Sequence, residues 1–283
     1  MFPIKSLNSL MDKIQELQFP TNELERVFDT LEKRYSDYSD PWGLDLNVCK
    51  TMAKVVYPLY KSYFKVRVHG AEKIQNEPYL VVSNHSGQIP IDGVLITMAF
   101  LLETENPRIL RGMVERFLAG MPYLGSLVAK GGSILGDRRN CQYLIEKGES
   151  ILVFPEGVKG ISKNTSEYYQ IKNFTHGFYR IALEKQTPIL PICVIGAEEF
   201  YPYVYQFRPL AKLLGIPAFP LSPSLLIGGL PMPSPIDIFI GDPITPPGHL
   251  SSEAPEADIA DSIAEIEDTI RSMISEGLEH RRS

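Results

Sequence analysis

Cysteine is scarce. The 283-residue chain carries only Cys49, Cys141 and Cys193, far apart and without a C-x-x-C pair, so neither a disulfide framework nor a thiolate metal site is expected, and reduced thiols in a cytoplasmic setting are the simplest reading. A basic surplus is lacking as well. The formal charge is −6, and residues 247–283 hold nine acidic against three basic side chains, leaving 25 of each sign in the remainder. That balance argues against a nucleic-acid-binding body and for an acidic, solvated terminal segment. No secretory leader is evident, because "MFPIKSLNSLMDKIQELQFP" is amphipathic rather than a basic head followed by an apolar block. The longest uncharged stretch, residues 213–236, has the 24 residues that could span a bilayer but contains six prolines, each of which would interrupt helical hydrogen bonding. It reads as a loop over a pocket or dipping into a membrane interface.

Three nucleotide and esterase signatures are also absent. Without G-x-G-x-x-G or G-x-x-x-x-G-K-[ST], dinucleotide and nucleoside-triphosphate binding are disfavoured. Without G-x-S-x-G, a serine esterase would lack its strained nucleophile turn, and a fluorophosphonate probe should find no active-site serine.

What the chain does have is length and 44% hydrophobic residues, enough for a substantial core. Residues 1–66 read as helices, a helical region suited to membrane association. In "NVCKTMAKVVYPLYKSYFKVRV", Lys50, Lys54, Lys61 and Lys65 share one face, with Met52, Val55, Leu59 and Tyr63 opposite. Either a helix on an anionic membrane, kinked by Pro58, or an ordinary helix docked on the main domain with its lysines in water would give this pattern. From residue 67 the pattern alternates. The runs 79–83, 150–154, 189–196 and 236–241 are short, apolar and rich in β-branched residues, with helical patterns between them at 93–103, 138–147 and 176–185. This predicts an α/β domain over 67–246 with helices covering a mostly parallel central sheet. Residues 247–283 form an amphipathic C-terminal helix that packs back on the domain and ends near Gly277.

Three loops carry chemistry. After the strand at 79–83 come His85, Gly87, Pro90 and Asp92 in "VVSNHSGQIPIDG". Pro90 suits a first helical turn and disfavours helical geometry at Ile89, so His85 falls in a loop at a strand's carboxyl end, where open α/β sheets bind ligands. In "GGSILGDRRN", Arg138 and Arg139 open a helix, where a planar donor fork and a helix N-terminus both favour an anion; a surface Asp-Arg cap accounts for them as well. "FPEGVKG" follows the strand at 150–154 and offers Glu156, two glycines that allow close backbone approach, and Lys159.

Taken in order, "NHSGQIPID", "GGSILGDRR", "FPEGVKG" and "TPILPICVIGAEE", with "ERFLAGMPYLGSLVAKGG" between the first two, resemble the glycerolipid and lysophospholipid acyltransferase superfamily, of the 1-acylglycerol-3-phosphate acyltransferase kind, over roughly residues 66–245. Six residues separate His85 from Asp92 where that family leaves four, and Lys159 stands where it carries arginine.

The resemblance implies that His85 is the general base and Asp92 its orienting partner, with no protein nucleophile. Neutral imidazole suits the task because its ordinary pKa of about 6.5 lies near neutrality. It further implies that Glu156 and Gly157 line the acceptor pocket, that Arg138 and Lys159 balance a phosphate, and that Pro191 shapes the pocket wall or acyl channel. The donor is acyl-CoA or acyl-carrier protein, and the acceptor a glycerolipid, foremost lysophosphatidic acid, with a neutral mono- or diacylglycerol as the alternative. No metal and no resident cofactor are expected. The enzyme would sit peripherally on the cytoplasmic side of a membrane. A non-catalytic lipid-binding protein is the competing reading, which thioester consumption that requires an added alcohol would exclude.

Overall fold

The computed structural model describes residues 22–86, 90–161, 163, 165–202, 205–206, 209, 220–221 and 231–282. The predicted helix within the first 20 residues and most of the 213–236 loop lie outside them.

In chain order, helices α1 (Glu23–Arg34) and α2 (Leu46–Pro58) precede strands β1 (Arg67–His69) and β2 (Leu80–Ser83). Then come α3 (Ile91–Leu102), β3 (Arg111–Val114), α4 (Arg116–Ala119), α5 (Leu124–Lys130), β4 (Ile134–Leu135) and α6 (Arg138–Glu146). After β5 (Ile151–Val153) and α7 (Val158–Ile161) follow α8 (Gly177–Lys185) and β6 (Ile189–Ile195). A small antiparallel pair, β7 (Tyr205–Gln206) and β8 (Pro220–Leu221), precedes β9 (Asp237–Ile240) and α9 (Glu256–Arg282).

Seven strands form one sheet in the order β1-β9-β6-β2-β5-β3-β4. The five from β6 to β4 are parallel, and β9 runs antiparallel to β6 with β1 alongside it. This is the expected α/β class. Strands β2, β5 and β6 are buried along their whole length, because helices cover both faces and no side chain can be left to water; that is why they read as continuous apolar runs. One face packs Val81, Leu190, Ile192 and Val194 against α1, α2 and α3. The other packs Leu80, Val82, Cys193 and Ile195 against α6, α8 and the isoleucines 259, 263, 266, 270 and 274 of α9.

The boundary expected at residue 66 does not separate two cores. Leu24, Phe28 and Leu31 of α1 and Cys49, Ala53 and Tyr57 of α2 share the core that contains β6 and α3. Burial of this stripe, with Tyr60 and Phe64 continuing it, decides the orientation of residues 46–64. Lys50 and Lys54 meet Glu25 at 2.5 and 2.9 Å, and Lys61 meets Glu103 at 3.1 Å, so the helix is docked on the main domain with these lysines paired to carboxylates at its surface. Pro58 ends α2, and the chain continues as a π turn over Leu59–Tyr63, a local widening that absorbs the missing donor. The C-terminal helix also outruns its expected end: a side chain at Gly277 would place Cβ 2.8 Å from Phe239, so this glycine lets the helix lie close on β9 rather than stopping it.

Candidate active site

The site lies beyond the carboxyl ends of β2 and β5. Asn84 ends β2 by side-chain mimicry of a strand: its amide nitrogen donates to the carbonyl of Val194 at 3.1 Å and its oxygen accepts from the Val194 N–H at 2.8 Å. Both bonds are buried, so the next residue leaves the sheet from a fixed point. That residue is His85.

Nδ1 of His85 lies 2.7 Å from Oδ2 of Asp92 in the first turn of α3. The same oxygen accepts from the Ser86 N–H at 2.9 Å, while Oδ1 accepts from the Gly93 N–H at 2.8 Å. An ionised carboxylate only accepts, so this contact selects the tautomer with hydrogen on Nδ1 and puts the lone pair on Nε2. The ring stacks on Phe154, centroids 4.0 Å apart and planes inclined by 15°. Phe154 in turn fits closely over Gly93, where an added Cβ would come within 3.3 Å of its ring. The imidazole is therefore held at one edge and one face, and retains 12% side-chain exposure.

Glu156 touches this histidine through the main chain. Its Oε1 accepts from the His85 N–H at 2.9 Å and its Oε2 from the Lys172 N–H at 2.8 Å, and Lys163 lies 3.1 Å from Oε2. With no exposed surface on its side chain, the carboxylate faces the loops and not a pocket, which differs from the acceptor-lining place expected for it. Gly157 has φ of +56° with open space around it, so it supplies the left-handed turn that aims Glu156 inward. Gly160 supplies close approach: an added Cβ would sit 2.7 Å from His85 Cβ and 3.0 Å from Glu156 Cβ. The two glycines of "FPEGVKG" thus do different work.

Two of the other expected residues, Arg138 and Pro191, lie elsewhere, while Lys159 directly precedes Gly160 beside His85. Arg138 is exposed at the start of α6, its fork on Glu184 Oε2 at 2.6 Å and Glu253 Oε1 at 2.7 Å, while Asp137 caps the helix by accepting the Arg139 N–H at 2.9 Å. Lys159 is exposed on α7. Pro191 is buried within β6, and alternation with Leu190 and Ile192 puts it on the face toward α9. A Cβ at Gly241 would meet both Pro191 and Met273 of α9, so Pro191 packs across the sheet from Asp92 rather than forming a wall beside it. The ladder opposite it is bulged: Ile192 pairs with Ile240 but Ile189 with Ile244, so the extra residue lies in the partner segment 241–243 and regular pairing is interrupted where Pro191 has no N–H to give. Asn84 and Phe154 belong to the motifs read from the sequence but had no assigned task; a polar side chain directly after a buried strand and an aromatic directly before Pro-Glu-Gly were the available signals. Among the described residues, no group of three or more His, Cys, Asp or Glu side chains could hold a metal ion.

Fold and site define an α/β protein whose histidine-aspartate pair stands at the carboxyl ends of parallel strands. The chain belongs to the acyltransferase family, whose model matches residues 65–195. It is 33% identical over 253 residues to an uncharacterized protein of Mycobacterium tuberculosis, covering 86% of this chain and 69% of that one. It is also 26% identical over 178 residues to the DGAT1/2-independent enzyme synthesizing storage lipids of Bos taurus, 62% of this chain and about half (51%) of that enzyme. Among solved structures, the 1-acyl-sn-glycerophosphate (LPA) acyltransferase PlsC of Thermotoga maritima shares the fold, with a TM-score of 0.55, 17% identity, and coverage of 89% of this chain and 94% of that one.

Proposed function

We propose that this protein is an O-acyltransferase that moves a fatty acyl group from an acyl thioester, acyl-CoA or acyl-carrier protein, to a hydroxyl of a glycerolipid. The observation that carries the reading is the 2.7 Å contact between His85 and Asp92 in a chain of the acyltransferase family. Nε2 of His85 removes the acceptor's hydroxyl proton as the oxygen attacks the thioester carbonyl. The tetrahedral intermediate then collapses with loss of the C–S bond, and the imidazolium returns the proton to the departing thiolate. Asp92 keeps the ring oriented and stabilises its charged form, the part played by the carboxylate of a serine-protease triad.

Two acceptors compete. Lysophosphatidic acid follows from the resemblance and the basic block that contains Arg138. A neutral mono- or diacylglycerol is favoured by a specific observation, the ion pairs of Arg138 with Glu184 and Glu253, together with the likeness to an enzyme named for storage lipids. Such surface pairs are worth only about 0–1 kcal/mol, so a phosphate could displace them and the assay must include both acceptors.

Work at a membrane surface is supported by the exposed apolar side chains Met121, Tyr123, Leu124 and Leu127 around α5. Among the described residues no helix is long and apolar enough to cross a membrane. The test is thiol release by purified protein given acyl thioesters with phosphorylated and neutral glycerolipids. Wild-type protein should release thiol only with an acceptor present, and His85→Ala should lose about 10² to 10⁴ in rate. Near-normal turnover by that variant would overturn the assignment.

A further inference from the structure

The residue that holds His85 from below is a lysine outside the motifs. Lys163 is buried, with side-chain exposure of 3%, and its ammonium has three acceptors around it: Glu156 Oε2 at 3.1 Å, Glu198 Oε1 at 3.4 Å and the His85 carbonyl at 3.2 Å. An ammonium has three donors and no acceptor, so these partners match its full capacity. Glu156 meanwhile accepts the N–H of His85. Both polar main-chain groups of the histidine are therefore tied to one Lys163–Glu156 unit.

Burying one cation between two carboxylates is costly unless the geometry is specific. A neutral Gln-Met pair could fill the same volume without leaving charge unsatisfied, so simple packing does not call for this arrangement. Glu198 is secured from its other side by the Tyr169 N–H at 2.6 Å, which fixes the far end of the unit.

We propose that Lys163 is a positioning residue for the acyl-transfer base, fixing the main chain of His85 directly through its carbonyl and indirectly through Glu156, and thereby setting the contact of the ring with Asp92. The catalytic part of this inference rests on the acyltransferase reading; the positioning part does not. A base displaced by about 1 Å can cost on the order of 10²-fold in rate, so main-chain anchoring at this residue matters more than at an ordinary loop position.

The experiment separates positioning from charge balance. Lys163→Met alone leaves two buried carboxylates without a cation, and it should lower both stability and kcat. Lys163→Met combined with Glu198→Gln removes one positive and one negative charge, which should restore much of the melting temperature. If Lys163 positions His85, the double variant still loses at least about tenfold in kcat relative to Glu198→Gln alone, with KM little changed. A kcat in the double variant equal to that of Glu198→Gln alone would overturn the proposal.

A second readout does not depend on activity. In ¹⁵N-histidine-labelled protein, the downfield proton on Nδ1 of His85 should be visible in wild type and in Glu198→Gln, and absent or shifted in the double variant. An unchanged resonance there would sink the positioning role. Wild-type protein without transferase activity would instead defeat the functional reading while leaving this spectroscopic test to decide the positioning.

Discussion

Six residues of chain separate His85 from Asp92, yet Nδ1 and Oδ2 lie 2.7 Å apart. The approach is made possible by where each group is anchored: Asn84 ties the end of β2 to Val194, and Asp92 is fixed in the first turn of α3. The carboxylate also accepts the Ser86 N–H, which draws the start of the intervening loop back toward the helix. A longer connection than the family usually carries therefore still delivers the same pair.

Replacing Asp92 with Asn should separate orientation from basicity. The amide can still occupy the space but can present an N–H to Nδ1, which would favour the wrong tautomer. The expected outcome is a loss of roughly 10²-fold or more in kcat with little change in KM. Steady-state kinetics beside circular dichroism would check it; full activity would mean that the ring needs no carboxylate.

Gly157 and Gly160 should respond in opposite ways to alanine. At Gly157 the space is open but φ is +56°, so the cost is conformational, about 1–2 kcal/mol of stability, with turnover largely kept. At Gly160 the new methyl would stand 2.7 Å from His85 Cβ, and the histidine or α7 has to shift. A fall in kcat of at least about tenfold is expected there. Chemical denaturation and kinetics on the two variants would show whether the losses divide in this way.

How much of this was legible in the sequence follows from what each element packs against. The cores of β2, β5, β6 and β9 could be read because these strands are largely buried, and burial selects the apolar runs that mark them. Strands β1, β3 and β4 escaped notice: β1 carries Arg67 and His69, β3 carries the buried Arg111 and Gly112, and β4 has two residues. At the site, the order of the motifs pointed to His85 and Asp92. What sequence could not convey was direction. Glu156 lies beside the histidine but turns inward, and Arg138 is drawn to Glu184 and Glu253, 46 and 115 residues away. Lys163 likewise acquires its meaning only from what it meets in space, Glu156, the His85 carbonyl and Glu198.

The three cysteines should be silent in the native protein. All are free and buried, and burial pushes the thiols of Cys49 and Cys141 up to about 12 and that of Cys193 upward as well. Since the thiolate is the reactive form, a disulfide reagent such as DTNB should label none of them rapidly under native conditions and all three after denaturation. Rapid native labelling would show that the packing around at least one of them opens readily.

Glu198 should leave a signature in the pH dependence of stability. Burial pushes its carboxyl up to about 7 from an ordinary 4.5, against the opposing pull of Lys163. A folded-state value above the unfolded one means that the native protein holds the proton more tightly. The group's contribution is therefore fully present below about pH 4.5, declines as the unfolded state releases a proton that the folded state keeps, and is lost once pH rises through about 7. The other charges facing it, Lys163 and Glu156, remain in both proteins of the comparison, wild type and Glu198→Gln. Subtracting one stability profile from the other isolates the titration, which should amount to something on the order of 3 kcal/mol across the window. Parallel profiles for the two proteins between pH 4.5 and 7 would show that Glu198 is charged in the fold throughout, and that Lys163 neutralises it completely.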